Sequence, residues 1–139
     1  MASKRTAARA RALVGVRFRP QGRDPAKGLD CVGVVIHAFR LEAGSIPDDY
    51  RLSSLGRTAE LMAGILARFA PLRRAEVGHL VVMEAGRRQM HLGVRTEAGI
   101  VHADARTGRV IEGPIPPGAR VVGYFRRRRR CGAVAGSSN

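Results

Sequence analysis

The sequence has no tryptophan, and aromatic residues make up only 4% of it. The core must therefore be mainly aliphatic, and a surface of stacked aromatic rings for binding single-stranded nucleic acid is not expected. Only two cysteines are present, Cys31 and Cys131, which excludes a disulfide framework. Neither has the close Cys or His neighbours of a structural zinc site. No apolar run approaches the roughly 18 residues that a membrane-spanning helix needs.

Acidic residues are also scarce, with 11 Asp and Glu against 25 Lys and Arg, so the formal net charge is +14. Much of this excess lies in residues 4–23 and 126–130. A charge of this size indicates an anionic partner or surface, or an arginine-biased genome. A solvated basic surface, nucleic acid and an anionic cell envelope all remain open as explanations.

The 139 residues, of which 45% are hydrophobic, suffice for one compact domain and are too few for two. Periodicity and Gly or Pro punctuation predict helices and then strands. That order indicates an α+β domain over residues 1–125, followed by a basic, frayed tail over 126–139. The predicted helices are 5–14, 31–43 and one around 61–69 that ends at Pro71, with loops at 16–30 and 45–54. The five predicted strands, antiparallel in one sheet, are 79–84, 91–96, 99–104, 108–112 and 120–125.

The segment around Cys31 carries the strongest chemical signal. A glycine and a short polar turn precede the thiol, and an apolar stretch of helical length follows it. The sulfur is thus expected in the first turn of a buried helix, where free N–H groups and the helix dipole favour the thiolate. A thiolate is the nucleophilic form, so Cys31 is a candidate catalytic residue. Inert packing is the alternative, because buried cysteines usually have no reactive role.

A cysteine nucleophile needs a base and an orienting group, and two histidines are suitably spaced. His91 and His102 lie 11 residues apart in two successive predicted strands. Adjacent antiparallel strands can present both imidazoles on one face, where the second would fix the tautomer of the first. If that face packs against the start of the Cys31 helix, the three residues form a nucleophile, base and orienter.

The remaining histidines and the second cysteine are weaker candidates. His37 is expected to be exposed on the far side of the Cys31 helix, and His79 has no evident partner. Cys131 follows five arginines, which would lower its pKa, but a frayed tail cannot hold a base beside it. Asp30 is expected to cap the helix.

The stretch 15–35 resembles the active-site signature of NlpC-type cell-wall cysteine peptidases, in which a Gly-x-x-Tyr/Phe turn and a Gly-rich loop precede Asp-Cys-x-Gly. His91-Leu-Gly-Val and Val-His102-Ala resemble the second and third catalytic segments in order and spacing. The resemblance implies a papain-like fold, N-terminal helices packed on an antiparallel sheet of about five strands. It also implies Cys31 as nucleophile, His91 as base and His102 as orienter, with no metal or cofactor.

The resemblance further implies hydrolysis of peptide bonds in peptidoglycan stem peptides. The sequence of the loop before Cys31 is most similar to that of peptidases carried in the tails of phages and phage-like gene transfer particles. Two residues depart from the family pattern. Phe18 stands where the family usually has a Tyr whose hydroxyl helps to bind the substrate or oxyanion, and His79 replaces a usual Asp. Phe18 and Asp30 therefore belong to the expected substrate and oxyanion environment.

Residues 1–12 are basic and lack the apolar stretch of a signal peptide. We therefore expect synthesis in a bacterial cytoplasm and action in the cell envelope within a phage-like particle. Expected partners are stem peptides, phage-like tail proteins and anionic wall polymers, with no membrane span. Three alternatives remain: a basic nucleic-acid-binding module, a transferase or amidase that uses the same thioester, and a structural tail component whose hydrolase has decayed.

Overall fold

The computed structural model describes residues 2–42, 55–86 and 89–128. Within these segments the helices are α1 (Ala2–Arg11), α2 (Cys31–Phe39) and α3 (Leu55–Arg68). The strands are β1 (Arg23–Asp24), β2 (Gly28–Leu29), β3 (Phe69–Leu72), β4 (Leu80–Ala85), β5 (Gln89–Thr96), β6 (Gly99–Asp104), β7 (Arg109–Gly113) and β8 (Ala119–Arg127). No helix among these residues is both long and apolar enough to cross a bilayer.

Six strands form one antiparallel sheet in the order β3-β8-β4-β5-β6-β7, while β1 and β2 form a separate small hairpin. Strand β5 pairs with β4 over residues 89–94. Its pairing with β6 is shorter and runs only from Val94 to Thr96. The beginning of β5 and the end of β6 therefore diverge, and α2 contacts both of these strands.

Side chains alternate between the two sides of the sheet, as the pleat requires. One side packs against α1 and α2 and forms the main core, to which the sheet contributes Leu80, Val82, Leu92, Val94, Val101 and Ala103. The other side carries a smaller apolar cluster built on Val81, Met83 and Ile100. The main core is largely aliphatic, and its aromatic contact is an edge-on packing of Phe39 on Phe69 with ring centroids 5.0 Å apart.

The predicted α+β order and the five predicted strands are confirmed, but the sheet contains a sixth strand that the sequence analysis did not predict. Helix α3 ends at Arg68, and Pro71 lies inside β3, where it pairs with Phe125. Proline is tolerated there because β3 is an edge strand of the sheet. The prediction that Pro71 closes the helix directly is therefore wrong.

Other element boundaries also differ from the predicted ones. Helix α1 begins and ends three residues before the predicted span of 5–14, and α2 ends at Phe39 rather than near 43. The predicted loop 16–30 contains the β1–β2 hairpin. Strand β8 continues to Arg127, two residues into the segment predicted as a tail. The rest of that tail from residue 129, the predicted loop 45–54 and Cys131 lie outside the described residues.

Candidate active site

Helix α2 begins at Cys31 because Asp30 caps it. Asp30 has an extended backbone, and its Oδ1 accepts a hydrogen bond from the Gly33 N–H at 2.9 Å. The same carboxylate accepts from the Arg23 guanidinium at 2.9 Å and from the Gln21 N–H at 3.0 Å. These donors compensate the burial of a charged side chain that is only 1% exposed. The first turn of the helix is thereby fixed in place.

The glycine two positions after Cys31 permits a close backbone approach. A Cβ atom at Gly33 would lie 2.3 Å from the carbonyl oxygen of Gly22. A Cβ atom at Gly22 would in turn lie 2.2 Å from the carbonyl oxygen of Gly28. Side-chain atoms do not occupy such positions, so the preceding loop can press against the first turn of α2 only because these residues are glycines.

The Cys31 side chain is 1% exposed and meets the sheet where β5 and β6 diverge. The backbone N–H groups of Leu92 and Val32 lie within hydrogen-bonding reach of its sulfur. Leu92 lies outside the part of β5 that pairs with β6, which begins at Val94. Its N–H is therefore directed at the sulfur instead of a carbonyl of β6. Since Leu92 follows His91 directly, this contact brings the thiol beside the backbone of the proposed base.

The two histidines predicted to cooperate form a hydrogen-bonded pair. Nε2 of His91 lies 2.7 Å from Nδ1 of His102, and the rings meet edge to face. His102 is 2% exposed, whereas His91 is half-buried. The prediction that both imidazoles share one side of neighbouring strands is confirmed by this contact.

The side that they share is the one turned away from the main core, because both histidines alternate with the core residues Leu92 and Ala103. The sequence left open whether the histidine-bearing face packs against the start of α2, and this alternation turns that face away from the side on which α2 lies. The contact described between the Cys31 sulfur and β5 is the Leu92 N–H, at the point where β5 and β6 diverge.

Burial raises the pKa of the Cys31 thiol to about 12, and the Asp30 carboxylate adds to that rise. The Leu92 and Val32 N–H groups and the Arg23 charge act in the opposite direction and are outweighed. The first-turn N–H of Val32 favours the thiolate, as the sequence predicts for a helix N-terminus, but burial outweighs it. Desolvation of the thiolate costs more free energy than the helix end supplies.

The histidine pair is uncharged for the same reason. Burial, reinforced by His102, lowers the pKa of His91 to about 4 against the opposing effect of Asp104. Burial also lowers the pKa of His102, and Asp104 again opposes it. At pH 7 the site therefore holds a neutral thiol and two neutral imidazoles.

Asp104 is a residue of this site that the sequence analysis missed. Its carboxylate accepts from the Arg106 and Thr107 N–H groups, each at 3.3 Å, in the turn after β6. Its negative charge favours the protonated forms of both histidines. The signal was available, because Asp104 follows His102 by two residues and so shares its side of the strand.

Phe18, expected in the substrate environment, is half-buried and packs against the main core. Its backbone N–H donates to the Gly108 carbonyl oxygen at 2.8 Å, and its ring has no hydroxyl to donate. Asp30, the other expected member of that environment, is engaged in capping α2 and in the ion pair with Arg23.

The structure places the other two histidines away from this cluster. His37, expected to be exposed, is half-buried, and its Nε2 lies 2.6 Å from the carbonyl oxygen of Arg23. His79, expected to lack a partner, accepts a hydrogen bond at Nδ1 from the Glu76 N–H at 3.1 Å. Among the residues described, no group of three His, Cys, Asp or Glu side chains is arranged to hold a metal ion.

A helix that presents a cysteine at its first residue to an antiparallel sheet carrying two paired histidines defines a papain-like α+β fold of the NlpC/P60 type, as predicted. The chain is similar to the P60 domain of antigen MAP1204 from M. avium subspecies paratuberculosis, with a TM-score of 0.56 and 19% identity, over 91% of this chain and 93% of that one. It is also similar to the peptidoglycan hydrolase RipB from Mycobacterium tuberculosis, with a TM-score of 0.57 and 23% identity, over 90% of this chain. The match spans 64% of the RipB chain. No protein-family profile matches the sequence, and no curated protein matches it.

Proposed function

We propose that this chain is a cysteine peptidase that hydrolyses peptide bonds in the stem peptides of peptidoglycan. The observation that carries the proposal is the hydrogen bond between His91 and His102, next to the residue whose N–H faces the Cys31 sulfur. RipB, which shares the fold at low identity, is a peptidoglycan hydrolase. The fold alone does not define an activity, so the proposal depends on these three side chains.

The proposed mechanism requires one particular tautomer of each ring, and the contact between the two histidines supports it. Since Nε2 of His91 is engaged with His102, Nδ1 of His91 is the nitrogen left for the thiol proton. A base must be unprotonated at the accepting atom, so His91 carries its proton on Nε2 and donates it to Nδ1 of His102. His102 then carries its own proton on Nε2. In this arrangement His102 orients the base.

The reaction starts from the neutral pair. As the sulfur of Cys31 attacks the peptide carbonyl carbon, its proton passes to Nδ1 of His91, and the carbonyl oxygen becomes an oxyanion. The Cys31 backbone N–H lies in the first turn of α2, where N–H groups have no acceptor within the helix, and it donates to this oxyanion. His91 then protonates the leaving amine, and a thioester forms. Water, deprotonated by His91, releases the acid and restores the thiol.

The raised thiol pKa bears directly on this sequence of steps. With the thiol pKa at about 12 and that of His91 at about 4, a preformed ion pair is scarce in the free enzyme. Proton transfer accompanies the attack on the substrate, and the charge on His91 is offset by Asp104. The acidic limb of the rate profile should accordingly fall well below the ordinary histidine pKa of 6.5.

We further propose that the enzyme is made in a bacterial cytoplasm and delivered to the wall by a phage or a phage-like particle. The resemblance of the loop before Cys31 to tail-associated peptidases supports this assignment. Its basic surface would hold the enzyme near anionic wall polymers or an acidic tail protein.

The test is digestion of purified peptidoglycan, with the released fragments identified by mass spectrometry. We expect the wild-type chain and Cys131→Ala to release the same muropeptides, and Cys31→Ser and Cys31→Ala to release none above background. Circular dichroism of each variant verifies that it is folded. The same fragments released at an unchanged rate by folded Cys31→Ser would refute the proposal.

A structural tail component without hydrolase activity is the second candidate. Phe18 supplies no hydroxyl for the oxyanion, and the thiol pKa is far above neutrality. On this alternative the wild-type chain is as inactive as Cys31→Ser on every wall preparation tested. It would then remain associated with purified particles without cutting the wall.

A further inference from the structure

A cavity of about 370 Å³ lies at the end of α2 opposite to Cys31. Its walls come from α1, the residues after α2, the turn before β4 and the end of β8. Five lining residues are arginines and none is acidic: Arg5, Arg9, Arg40, Arg126 and Arg127. Because α2 has nine residues, the cavity is about 13 Å from the nucleophile at a rise of roughly 1.5 Å per residue. The catalytic proposal makes no use of it.

Two of the five arginines have a structural role at the end of the helix. Nε of Arg9 donates to the Ala38 carbonyl oxygen at 2.8 Å, and Arg127 donates to the Phe39 carbonyl oxygen. The last carbonyl oxygens of a helix have no N–H donor within it and form the negative end of its dipole. These two guanidinium groups satisfy that end of α2.

The other three arginines are not needed to satisfy the carbonyl oxygens at the end of α2. Arg5, Arg40 and Arg126 are exposed. Within the described part of the chain, none of them is ion-paired with a carboxylate. Arg5, Arg40 and Arg127 each lower the pKa of Arg9, behind the larger effect of its burial, so these charges lie close together. Like charges at short range destabilise the fold unless an anion joins them.

The backbone at Arg40 gives a second, independent indication. Arg40 has φ 53° and ψ 50°, the left-handed conformation that follows many helices. Glycine is the usual residue there, because a side chain strains this conformation. The sequence places a guanidinium at the rim of the cavity despite that strain.

We propose that this cavity binds a phosphate group. Guanidinium groups match phosphate oxygens with paired, charge-assisted hydrogen bonds, and the charges of Arg5, Arg40 and Arg126 more than balance those of a phosphate dianion. The phosphate can be a free ion or part of a phosphodiester chain such as an anionic wall polymer. Nucleic acid fits less well, since the aromatic residue of the cavity wall, Phe39, is 3% exposed and offers no stacking surface.

The experiment measures binding by calorimetry and thermal melting with the full chain, at ionic strength matched with potassium chloride. The probes are inorganic phosphate, poly(glycerol phosphate) and a single-stranded oligonucleotide. The cavity variant is Arg5→Gln/Arg40→Gln. Its control is Arg73→Gln/Arg106→Gln, which removes the same charge from two exposed arginines that do not line the cavity.

We expect the cavity variant to bind inorganic phosphate or poly(glycerol phosphate) at least about tenfold more weakly than the control, as the loss of a charge-assisted contact implies. Tighter binding of the polymer identifies the phosphodiester as the ligand, and binding of the free ion alone identifies inorganic phosphate. Without ligand, the cavity variant should melt at a higher temperature than the wild type, because repulsion has been removed.

Three results would overturn the proposal. Equal loss of binding in the two variants would assign the effect to overall charge. Preferential binding of the oligonucleotide, lost in the cavity variant, would make this a nucleic-acid site. Absence of binding by all three probes would leave the arginines without an anionic ligand. None of these results bears on wall hydrolysis, which is measured separately with Cys31→Ser.

Discussion

The two ends of α2 carry opposite solutions to the same electrostatic problem. At the N-terminal end, the partial positive charge meets the buried carboxylate of Asp30, and the thiol beside it stays neutral. At the C-terminal end, Arg9 and Arg127 satisfy the last carbonyls, and three further arginines gather around them. The charge at the N-terminal end is buried and paired. The C-terminal end is open to solvent and carries more positive charge than the helix end requires.

This difference shows that a helix dipole does not by itself decide the charge of a neighbouring group. The N-terminal end of α2 should favour a thiolate, but burial raises the thiol pKa to about 12. At the C-terminal end the dipole favours cations. Because this end is open to solvent, it carries more arginine charges than the dipole can balance. Exposure therefore has the larger influence at both ends.

The largest expected effect comes from removing the Asp30 carboxylate at the N-terminal end of α2. Asp30→Asn should lower the free energy of unfolding by about 3 kcal/mol or more, because it leaves the Arg23 charge without its buried partner. Urea denaturation followed by circular dichroism measures this loss. The control is Asp24→Asn, at an exposed carboxylate that accepts from the Ala26 N–H. Similar small losses in both variants would mean that the N-terminal end does not depend on its buried charge.

Acid should weaken the N-terminal site through its histidines. The pKa of His91 falls from 6.5 to about 4 on folding, so between these pH values the unfolded chain binds more protons. The free energy of unfolding should therefore decrease from pH 6.5 to pH 4, by at most about 3 kcal/mol from this group. Urea titrations at several pH values measure the slope. His91→Gln should flatten it, and an unchanged slope in that variant would contradict the assignment.

The proposed orienting role of His102 predicts a smaller, kinetic effect. His102→Leu leaves Nε2 of His91 without an acceptor and should reduce the hydrolysis rate by about 10²-fold, within the range for acid–base catalysis. His102→Asn keeps an oxygen that can accept this hydrogen bond, and should retain most of the rate. The readout is the initial rate of muropeptide release as a function of pH. Equal rates for the two variants would show that the hydrogen bond does not orient the base.

The smallest effect belongs to the C-terminal end. Arg40→Gly should raise the free energy of unfolding by about 1 kcal/mol, because glycine adopts the left-handed conformation without strain. Arg40→Ala removes the same charge but keeps the strain, so the difference between the two variants isolates the backbone. Thermal denaturation measures both. Greater stability of Arg40→Ala than of Arg40→Gly would contradict this account, because the two variants lack the same charge and differ only in the strain of the left-handed conformation.

Local sequence was enough to predict the start of α2 and the histidine pair. The capping Asp30 and the spacing of His91 and His102 express short-range rules about caps and adjacent strands. The resemblance to NlpC-type peptidases added the fold, which the structure confirms.

The features that sequence could not predict depend on distant residues. Strand β3 exists because residues 69–72 pair with residues 124–127 of β8, a contact that overrides the helix-ending signal of Pro71. The thiol pKa depends on burial by the whole core. The arginine cavity joins Arg5, Arg40 and Arg126, which the sequence separates widely and no local pattern connects.

The sulfur of Cys31 also stands where a strand would normally supply a carbonyl oxygen. It faces the Leu92 N–H where β5 and β6 diverge, so the sulfur takes part in the hydrogen bonding of the sheet. An apolar residue at position 31 would leave the Leu92 N–H buried without an acceptor at this place. The proposed nucleophile thus also has a structural role, and a polar atom at position 31 is needed to satisfy this N–H.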